Sequence, residues 1–223
     1  RSFNQLYYSD FYLNLNDWNM DSEYFLKIDG NNHSNLYGDS VGFFKTNFVS
    51  NVLIANCDFF DISNHVRKSP PEQTCAWFAQ GSVDRRIKNI IMHNCNIDGL
   101  HTLNNSHVKG RYAFIVKNCS NISLTNTKIT NMSLDVLEFS QTYSASINNV
   151  IFENNFVNLD LIGQPSLIQT RNVEYLSIQD SIFDLNNQVE TAVITNNLEY
   201  LSIKRCKFSG GNGEVLRLQS SKP

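Results

Sequence analysis

An apolar–x–Asn–small–x–apolar pattern recurs six times along the chain. The copies are Ile54–Phe59, Met92–Ile97, Leu124–Ile129, Phe152–Val157, Ile178–Phe183 and Ile203–Phe208, with Asp180 and Arg205 at the Asn position of the last two. Their first residues are separated by 38, 32, 28, 26 and 25 positions. Recurrence at such a spacing is typical of stacked supersecondary units that contact only their neighbours. The pattern therefore predicts a solenoid.

A second apolar segment precedes four of these copies by ten residues, at Phe44, Phe114, Ile168 and Val193. Apolar and polar residues alternate around each position, with many β-branched side chains, which indicates a strand with one buried face. No window keeps the i, i+3, i+4, i+7 spacing of an amphipathic helix over three turns. Each unit is thus predicted to hold three short strands, with a single Asn at the bend before the third.

Three short strands per unit predict an all-β fold, a right-handed parallel β-helix of about six to eight coils. We expect one domain over 1–223, with irregular coils at 1–32 and regular coils at 33–220, and the chain is a candidate fragment of a longer protein. Another domain or protomer is expected to cap the open ends of the stack. The residues expected to form an asparagine ladder at the bend are Asn56, Asn94, Asn126 and Asn154, with Asp180 as a partial substitute and Arg205 as a departure.

A leucine-rich repeat solenoid is the alternative, because Asn172–Phe183 and Asn197–Phe208 repeat one leucine pattern at a period of 25 residues. That fold needs a helical outer wall, and Ser209–Glu214 lacks the apolar spacing for one. The alternating strand at Val193–Thr195 also has no place in it. These two features favour the β-helix.

The asparagine bend within a three-strand coil resembles the pectate-lyase-like superfamily over residues 24–220. This resemblance implies a carbohydrate groove along the outer face of the first sheet, beside the loops that lead to the next coil. The catalytic motifs of that superfamily are not matched. Arg86–Lys88 lacks the preceding paired acidic residues and His-Gly of polygalacturonase-type hydrolases, and no cluster of calcium-binding carboxylates stands in the outward rows. The catalytic residues are unknown, and the sequence does not decide whether the chain is an enzyme.

Two long loops, Ser63–Thr74 and Gly99–Arg111, leave the third strand and return to the first. Loops held by a rigid scaffold often carry function, although a solvated polar loop is the simpler interpretation. An outward aromatic residue near these loops would stack on a sugar ring. The candidate sugar-binding residues at this edge are Trp77, His101, His107 and Arg111.

The outer face of the first sheet supplies further candidates. Its outward row is predicted to run through Lys45, Ala79, Ile115, Glu138, Gln169, Ile194 and Arg217, and the next row through Lys117, Ser140, Arg171 and Asn196. Lys117, Glu138 and Arg171 would then lie on consecutive coils. Such a strip would bind an acidic sugar or supply a base beside a neutralising cation. The alternative is a surface ion-pair ladder of small energetic consequence.

The composition of the chain limits the classes of partner that it is expected to bind. Asparagine accounts for 31 of 223 residues, and the formal charge of −3 gives no reason to expect nucleic acid. No apolar run is long enough for a membrane span. No cofactor or metal is expected, since calcium would need a ligand cluster that the sequence does not show.

Three of the five cysteines occupy the small position after the bend residue: Cys57, Cys95 and Cys206. The simplest interpretation is that they are small buried apolar side chains stacked along the core. Cys57 and Cys95 would be close enough for a disulfide, but in-register parallel strands give a poor geometry for one. The state of the cysteines therefore stays open.

These observations predict an extracellular or cell-envelope β-helix that recognises a polysaccharide, either as a binding module or as a relative of polysaccharide lyases or glycoside hydrolases. The alternative is a non-catalytic structural or adhesive β-helix, such as a phage tail-spike segment or a surface spacer. Cleavage of a polymer would favour the first prediction, and trimerisation or end-to-end stacking the second.

Overall fold

The structure, a computed structural model, describes residues 13–14, 25–29, 32–33, 37–38, 44–47, 51–59, 63–65, 75–84, 86–99, 107–109, 112–132, 136–155, 166–186, 191–211 and 213–220. These residues form strands and turns and contain no helix, so none of them belongs to a helix that could cross a membrane. Of the predicted N-terminal coils, only the strands within 1–32 can be described.

Twenty strands make up the described chain. In chain order they are β1 (Leu13–Asn14), β2 (Phe25–Asp29), β3 (Asn32–His33), β4 (Tyr37–Gly38), β5 (Phe44–Asn47), β6 (Asn51–Ala55), β7 (Asp58–Phe59), β8 (Ser63–His65), β9 (Cys75–Gln80), β10 (Ile87–His93), β11 (Asn96–Asp98), β12 (His107–Lys109), β13 (Tyr112–Lys117), β14 (Cys119–Thr130), β15 (Leu137–Glu153), β16 (Ser166–Gln179), β17 (Ile182–Asp184), β18 (Thr191–Lys204), β19 (Lys207–Ser209) and β20 (Glu214–Gln219).

Parallel pairing between successive turns of the chain creates three sheets. The first sheet stacks β1, β5, β9, β13, the beginnings of β15, β16 and β18, and β20. The second stacks β2, β6, β10 and the middle strand segments. The third stacks β3, β7, β11, the ends of β14 and β15, β17 and β19. We number the coils 1 to 8 by their first-sheet strands.

This stacking confirms the predicted parallel β-helix. The helix was predicted to be right-handed because nearly all parallel crossover connections are right-handed. Among the described residues that follow β19, Glu214–Gln219 form strand β20 and none is helical, so the leucine-rich repeat alternative is wrong.

Aromatic and aliphatic side chains from all three sheets fill the interior. Phe152, Phe183 and Phe208 stack along the third sheet, with ring centroids 4.9 and 4.6 Å apart. Phe114 and Phe139 meet edge to face at 6.3 Å in the first sheet. Because each coil places the same residue type at the same position, the core continues from coil to coil without a gap in pattern.

Residues with left-handed backbone conformation form the corners between the sheets. Their positions differ in one place from the predicted asparagine ladder. The strand register places Asn149, and not Asn154, opposite Asn126, and the Asn149 Nδ2 donates to Asn126 Oδ1 at 2.8 Å. Asn154 also has a positive φ but lies at the end of the third sheet. The prediction failed because Asn149 and Asn154 stand in the same coil, and both follow an apolar residue by two positions.

A second corner, between the first and second sheets, was not predicted. It is formed by Asn118, Gln141, Asn172 and Asn197, all with φ between 51° and 56°. Asn197 Nδ2 donates to Asn172 Oδ1 at 2.8 Å, so this corner carries an amide contact of its own. A coil therefore turns on several left-handed residues, whereas the sequence suggested one.

Cys57, Cys95, Cys119 and Cys206 are free thiols, as the interpretation of the bend cysteines as stacked apolar residues requires. Cys57 and Cys95 are buried, and Cys206 is half-buried. A hydrogen bond with Cys57, together with burial, raises the pKa of the Cys95 thiol, and burial raises the pKa of Cys119 to about 12. Both thiols stay protonated near neutral pH, so neither is an activated nucleophile.

Candidate functional site

The outer face of the first sheet carries three of the predicted site residues. Lys117, Ser140 and Arg171 are in register on coils 4, 5 and 6, and Glu138 lies two residues before Ser140 on the same face. Adjacent strands are about 4.8 Å apart, which leaves Lys117 and Arg171 about 10 Å apart across two steps. The three charged residues therefore do lie on consecutive coils.

The three charged residues of this strip differ in how exposed they are. Arg171 is exposed and Lys117 half-buried, but Glu138 is only 6% exposed. Its row neighbours Ile115 and Ile194 are buried as well, although neither belongs to the central core cluster. The face is thus covered at this row and open at the row of Arg171, so a ligand would meet the two cations more readily than the carboxylate.

Two details of the predicted rows are wrong. Phe78, and not Ala79, pairs with Ile115, and Ala79 is fully buried. Trp77 pairs with Phe114, a core residue, so its backbone stands in the inward row and not the outward one. The error is a shift of one residue, which reverses the face of every side chain in a strand.

The remaining predicted site residues are those expected at the loop edge. His101 and Arg111 are outside the described residues, and of His107 only the backbone is described. That backbone belongs to a small side sheet in which β12 pairs antiparallel with β8, and β8 pairs with β4. His107 is opposite His65. Strands β8 and β12, which belong to the two long loops, therefore pair, and the role of these loops in binding stays a prediction.

A groove formed by the described residues lies elsewhere, on the outer face of the third sheet. Its volume is about 960 Å³, and it extends over coils 2 to 5. Its lining consists of Asn56, Asp58, Asn94, Cys95, Asn96, Asp98, Asn126, Thr127, Lys128, Thr130, Asn131, Asn149, Ile151, Glu153 and Asn154. Amides and carboxylates dominate this surface, which we call the amide groove.

One wall of the amide groove is the bend between the second and third sheets. Asn56, Asn94, Asn126 and Asn149 stand there, one on each coil, and all four side chains are exposed. Asn94 Nδ2 donates to Asn56 Oδ1 at 2.6 Å, and Asn149 to Asn126 at 2.8 Å. An amide has two N–H groups and an oxygen with two lone pairs, so one such pairing does not use every donor and acceptor of an asparagine side chain.

The floor of the amide groove consists of two rows of the third sheet. Asp58, Asn96, Lys128 and Ile151 are in register in the first row, and Asp98, Thr130 and Glu153 in the second. Lys128 Nζ is 2.7 Å from Glu153 Oε2, and Asn131 Nδ2 donates to Asp98 Oδ1 at 2.8 Å. Three carboxylates and one lysine give the floor a net negative charge.

An ion pair closes the bend beyond the groove. Arg205 Nε is 2.6 Å from Asp180 Oδ1, and its Nη2 is 2.7 Å from Oδ2. The hydrogen bonds from Arg205 lower the pKa of Asp180, and the carboxylate in turn raises the pKa of Arg205. The two side chains satisfy each other, so the ladder of asparagine amides at this bend ends at coil 5.

Sequence reasoning missed the floor of this groove, although a signal was present. Each first-row residue stands two positions after a bend residue: Asp58 after Asn56, Asn96 after Asn94, and Lys128 after Asn126. The outward register of the third sheet could have been written from the bend alone. Among the residues that the structure describes, no group of three or more His, Cys, Asp or Glu side chains is placed to hold a metal.

Comparison with known proteins adds little. No protein-family model and no curated protein matches the chain. A trypsin-treated form of QnrB1, a plasmid-mediated fluoroquinolone resistance protein, aligns with 82% of this chain and 91% of its own at 10% identity, with a TM-score of 0.24. A score of that size establishes neither a shared fold nor a shared function.

Proposed function

We propose that this β-helix recognises a polysaccharide and that the amide groove is its binding surface. The observation that carries the proposal is the groove itself: an open channel of about 960 Å³ whose exposed amides repeat once per coil. Sugar hydroxyls both donate and accept hydrogen bonds, and amides do the same. A polymer of sugars would find equivalent partners at each step along this wall.

An extracellular or cell-envelope location and a relationship to the pectate-lyase-like superfamily are parts of the same proposal. The three-sheet coil with asparagine at its bend supports the relationship. A polysaccharide ligand supports the location, since such polymers are components of cell surfaces. Whether the bound polymer is also cleaved is decided by experiment, because the groove supplies binding groups without an assigned nucleophile or base.

A glycan-array screen of the purified chain, followed by product analysis on each polymer that binds, tests the proposal. We expect a specific polymer to bind and the double variant Asn94→Gly, Asn126→Gly to lose that binding. Glycine keeps the left-handed backbone free of strain. Ser146→Ala, an outward residue of the second sheet, is the control and should bind normally. Absence of binding to any polymer would refute the proposal.

A structural or adhesive β-helix is the second candidate function. The continuous Phe152–Phe183–Phe208 stack and the amide contacts favour it, because they tie each coil to the next and suit a stiff spacer. The two functions are separated by the same screen. A spacer would bind no glycan and release no product, and sedimentation would show whether it associates into trimers or end-to-end stacks.

A further inference from the structure

Three tyrosine rings are exposed on the outer face of the second sheet, next to its corner with the first sheet. Tyr143, Tyr175 and Tyr200 belong to coils 5, 6 and 7 and are 46%, 37% and 57% exposed. Tyr175 stacks on Tyr200 with ring centroids 4.7 Å apart and planes 7° from parallel, and Tyr143 meets Tyr175 edge to face at 5.2 Å. A contiguous exposed aromatic patch on a folded domain indicates an interaction site.

Two carboxylates accompany the rings. The residues that flank Glu174 and Glu199 pair in register, so these two side chains are side by side on coils 6 and 7. Like charges directly opposite each other on neighbouring strands are destabilising. Neither carboxylate forms an ion pair with a described residue, whereas the other bend of the same two coils pairs Asp180 with Arg205. The patch thus presents two negative charges that a cationic partner would neutralise.

A groove of about 390 Å³ follows the same corner. Its lining includes Tyr143, both glutamates and three amides of the left-handed corner, Gln141, Asn172 and Asn197. Arg86, the cation among the described lining residues, precedes β10 on coil 3, three coils away from Glu174. A volume of this size holds a few side chains or a short segment of chain, and the amides are suited to the main-chain N–H and C=O groups of such a segment.

The chemistry of the patch favours a guanidinium group over an ammonium group. A guanidinium is planar, stacks on aromatic faces, forms two parallel hydrogen bonds with a carboxylate and is more weakly hydrated than an ammonium. The chain shows this pairing on the same two coils, where Arg205 Nε and Nη2 contact the two carboxylate oxygens of Asp180 at 2.6 and 2.7 Å. Tyrosine and arginine are also enriched together in protein–protein interfaces.

We propose that the surface formed by Tyr143, Tyr175, Tyr200, Glu174 and Glu199 docks an arginine-bearing segment of a partner protein. We call it the tyrosine–glutamate surface. A guanidinium group stacks there on the exposed tyrosine rings and pairs with the adjacent carboxylates, while the corner amides contact the main chain of the segment. The surface lies apart from the amide groove, so this inference does not rest on polysaccharide recognition.

Fluorescence anisotropy with labelled probes tests this inference on the full chain. The arginine probe is a short peptide with arginine at alternate positions separated by glycine, and the lysine probe is the same peptide with lysine. A labelled oligomer of β-1,4-linked glucosamine supplies the same kind of charge on a sugar. We expect the arginine peptide to bind about tenfold more tightly than the lysine peptide, because only a guanidinium both stacks and forms paired hydrogen bonds. The glucosamine oligomer should bind more weakly than the arginine peptide.

Matched variants locate the site. The double variant Glu174→Gln, Glu199→Gln should lower the affinity for the arginine peptide about tenfold or more. The double variant Asp58→Asn, Glu153→Gln removes the same number of charges from the amide groove and should bind the peptide normally. Tyr200→Leu keeps both carboxylates at an exposed position and should reduce the affinity for the arginine peptide towards that for the lysine peptide.

Several outcomes would overturn the inference. Equal affinity for the arginine and lysine peptides, or equal losses in the two double variants, would show that net charge alone attracts the peptide. Tighter binding of the glucosamine oligomer would assign the surface to an amino-sugar polymer instead of a protein. Absence of binding to the arginine peptide would refute the docking surface outright. The glycan-array result stands apart from all of these, because the Glu174, Glu199 variant keeps the amide groove unchanged.

Discussion

Left-handed backbone at single residues shapes this molecule. Thirteen described residues other than glycine have a positive φ, and ten of them are asparagine. Asparagine tolerates this region because its short amide hydrogen-bonds locally, whereas most side chains are strained there. Corners therefore account for ten of the 31 asparagines of the chain, and the exposed amides at one corner form the candidate binding wall.

The Asp180–Arg205 ion pair makes the stability of the fold depend on pH. Because Arg205 lowers the pKa of Asp180 below its ordinary value of 3.8, the pair stabilises the fold above that pH, and the contribution is lost as pH falls through the lowered pKa. Arg205→Gln should lower the melting temperature more at pH 7 than at pH 2, because protonation of Asp180 weakens the pair in the wild type. Melting curves of both proteins at the two pH values check this, with Asp180→Asn expected to match the variant. An equal deficit at pH 2 would contradict it.

Tyr175 makes stability depend on pH in the opposite direction, because its contribution is lost as the pH rises. Desolvation, followed by a hydrogen bond with Glu174, raises the pKa of this exposed tyrosine to about 12. Its ring stacks on Tyr200 at 4.7 Å and meets Tyr143 at 5.2 Å. The folded chain holds this proton more tightly than the unfolded chain, so the contribution is present below pH 10 and is lost between pH 10 and about 12.

Tyr175→Phe should therefore weaken the dependence of the melting temperature on pH in that alkaline window. Tyrosinate absorbance of the wild type minus that of the variant should titrate with a midpoint well above 10. A midpoint at the ordinary value, or an unchanged alkaline dependence of melting, would contradict the prediction.

At the scale of the strands, stacking of like residues provides the cohesion. Phe183 is fully buried between Phe152 and Phe208, and all three belong to the third sheet. Phe183→Ala should destabilise the chain by about 3–5 kcal/mol, because it removes a large side chain and leaves a cavity. Urea unfolding followed by circular dichroism measures the loss. Phe208→Ala, at a half-buried position, should cost clearly less, and equal losses would show that burial does not decide the effect.

Close packing of the backbone leaves no room for a side chain in the turn after β11. A Cβ at Gly99 would lie 2.7 Å from the Asn131 carbonyl oxygen and 2.8 Å from Met132 Sδ. Gly99→Ala should destabilise the chain by about 1–3 kcal/mol, since the backbone oxygen cannot move aside without strain.

Gly211→Ala is the matched control for this substitution. Its Cβ would meet the flexible end of Leu185 at 2.7 Å, which can change rotamer. Thermal melting of the two variants should show the larger deficit for Gly99→Ala. The reverse order would contradict the argument from the carbonyl contact.

At the scale of the whole molecule, two polar faces formed by the described residues differ in charge. The first-sheet face carries Lys117 and Arg171, and the amide groove carries Asp58, Asp98 and the paired Lys128. Binding of a neutral polymer in the groove should be nearly independent of salt, whereas binding of an acidic polymer on the first-sheet face should weaken as salt rises.

Substitution of the first-sheet strip distinguishes the two faces. The triple variant Lys117→Gln, Glu138→Gln, Arg171→Gln should abolish binding of an acidic sugar polymer if that face is the site, and should leave neutral-polymer binding unchanged. Titrations at 50 and 500 mM salt on both proteins measure this. Loss of neutral-polymer binding in the folded triple variant would move the site from the groove to the strip.

Sequence reasoning reached furthest where a pattern is repeated. The recurring Asn bend, the apolar segment ten residues before it and the lack of helical spacing were enough to predict a parallel β-helix, its coil period and the consecutive placement of Lys117, Glu138 and Arg171. Each of these follows from local preference, because every coil repeats the same backbone path.

Tertiary structure alone decided what depends on register between coils. The register between coils places Asn149, and not Asn154, in the ladder, and it pairs Phe78, and not Ala79, with Ile115. Tertiary structure also buries Glu138. The groove is formed by residues that are 23 to 38 positions apart in the sequence. A strand changes face with each residue, so a shift by one reverses its exposure, and only the pairing of neighbouring coils fixes that shift. The sequence by itself determined the repeating coil, and the stacking of coils determined which of its polar residues share a surface.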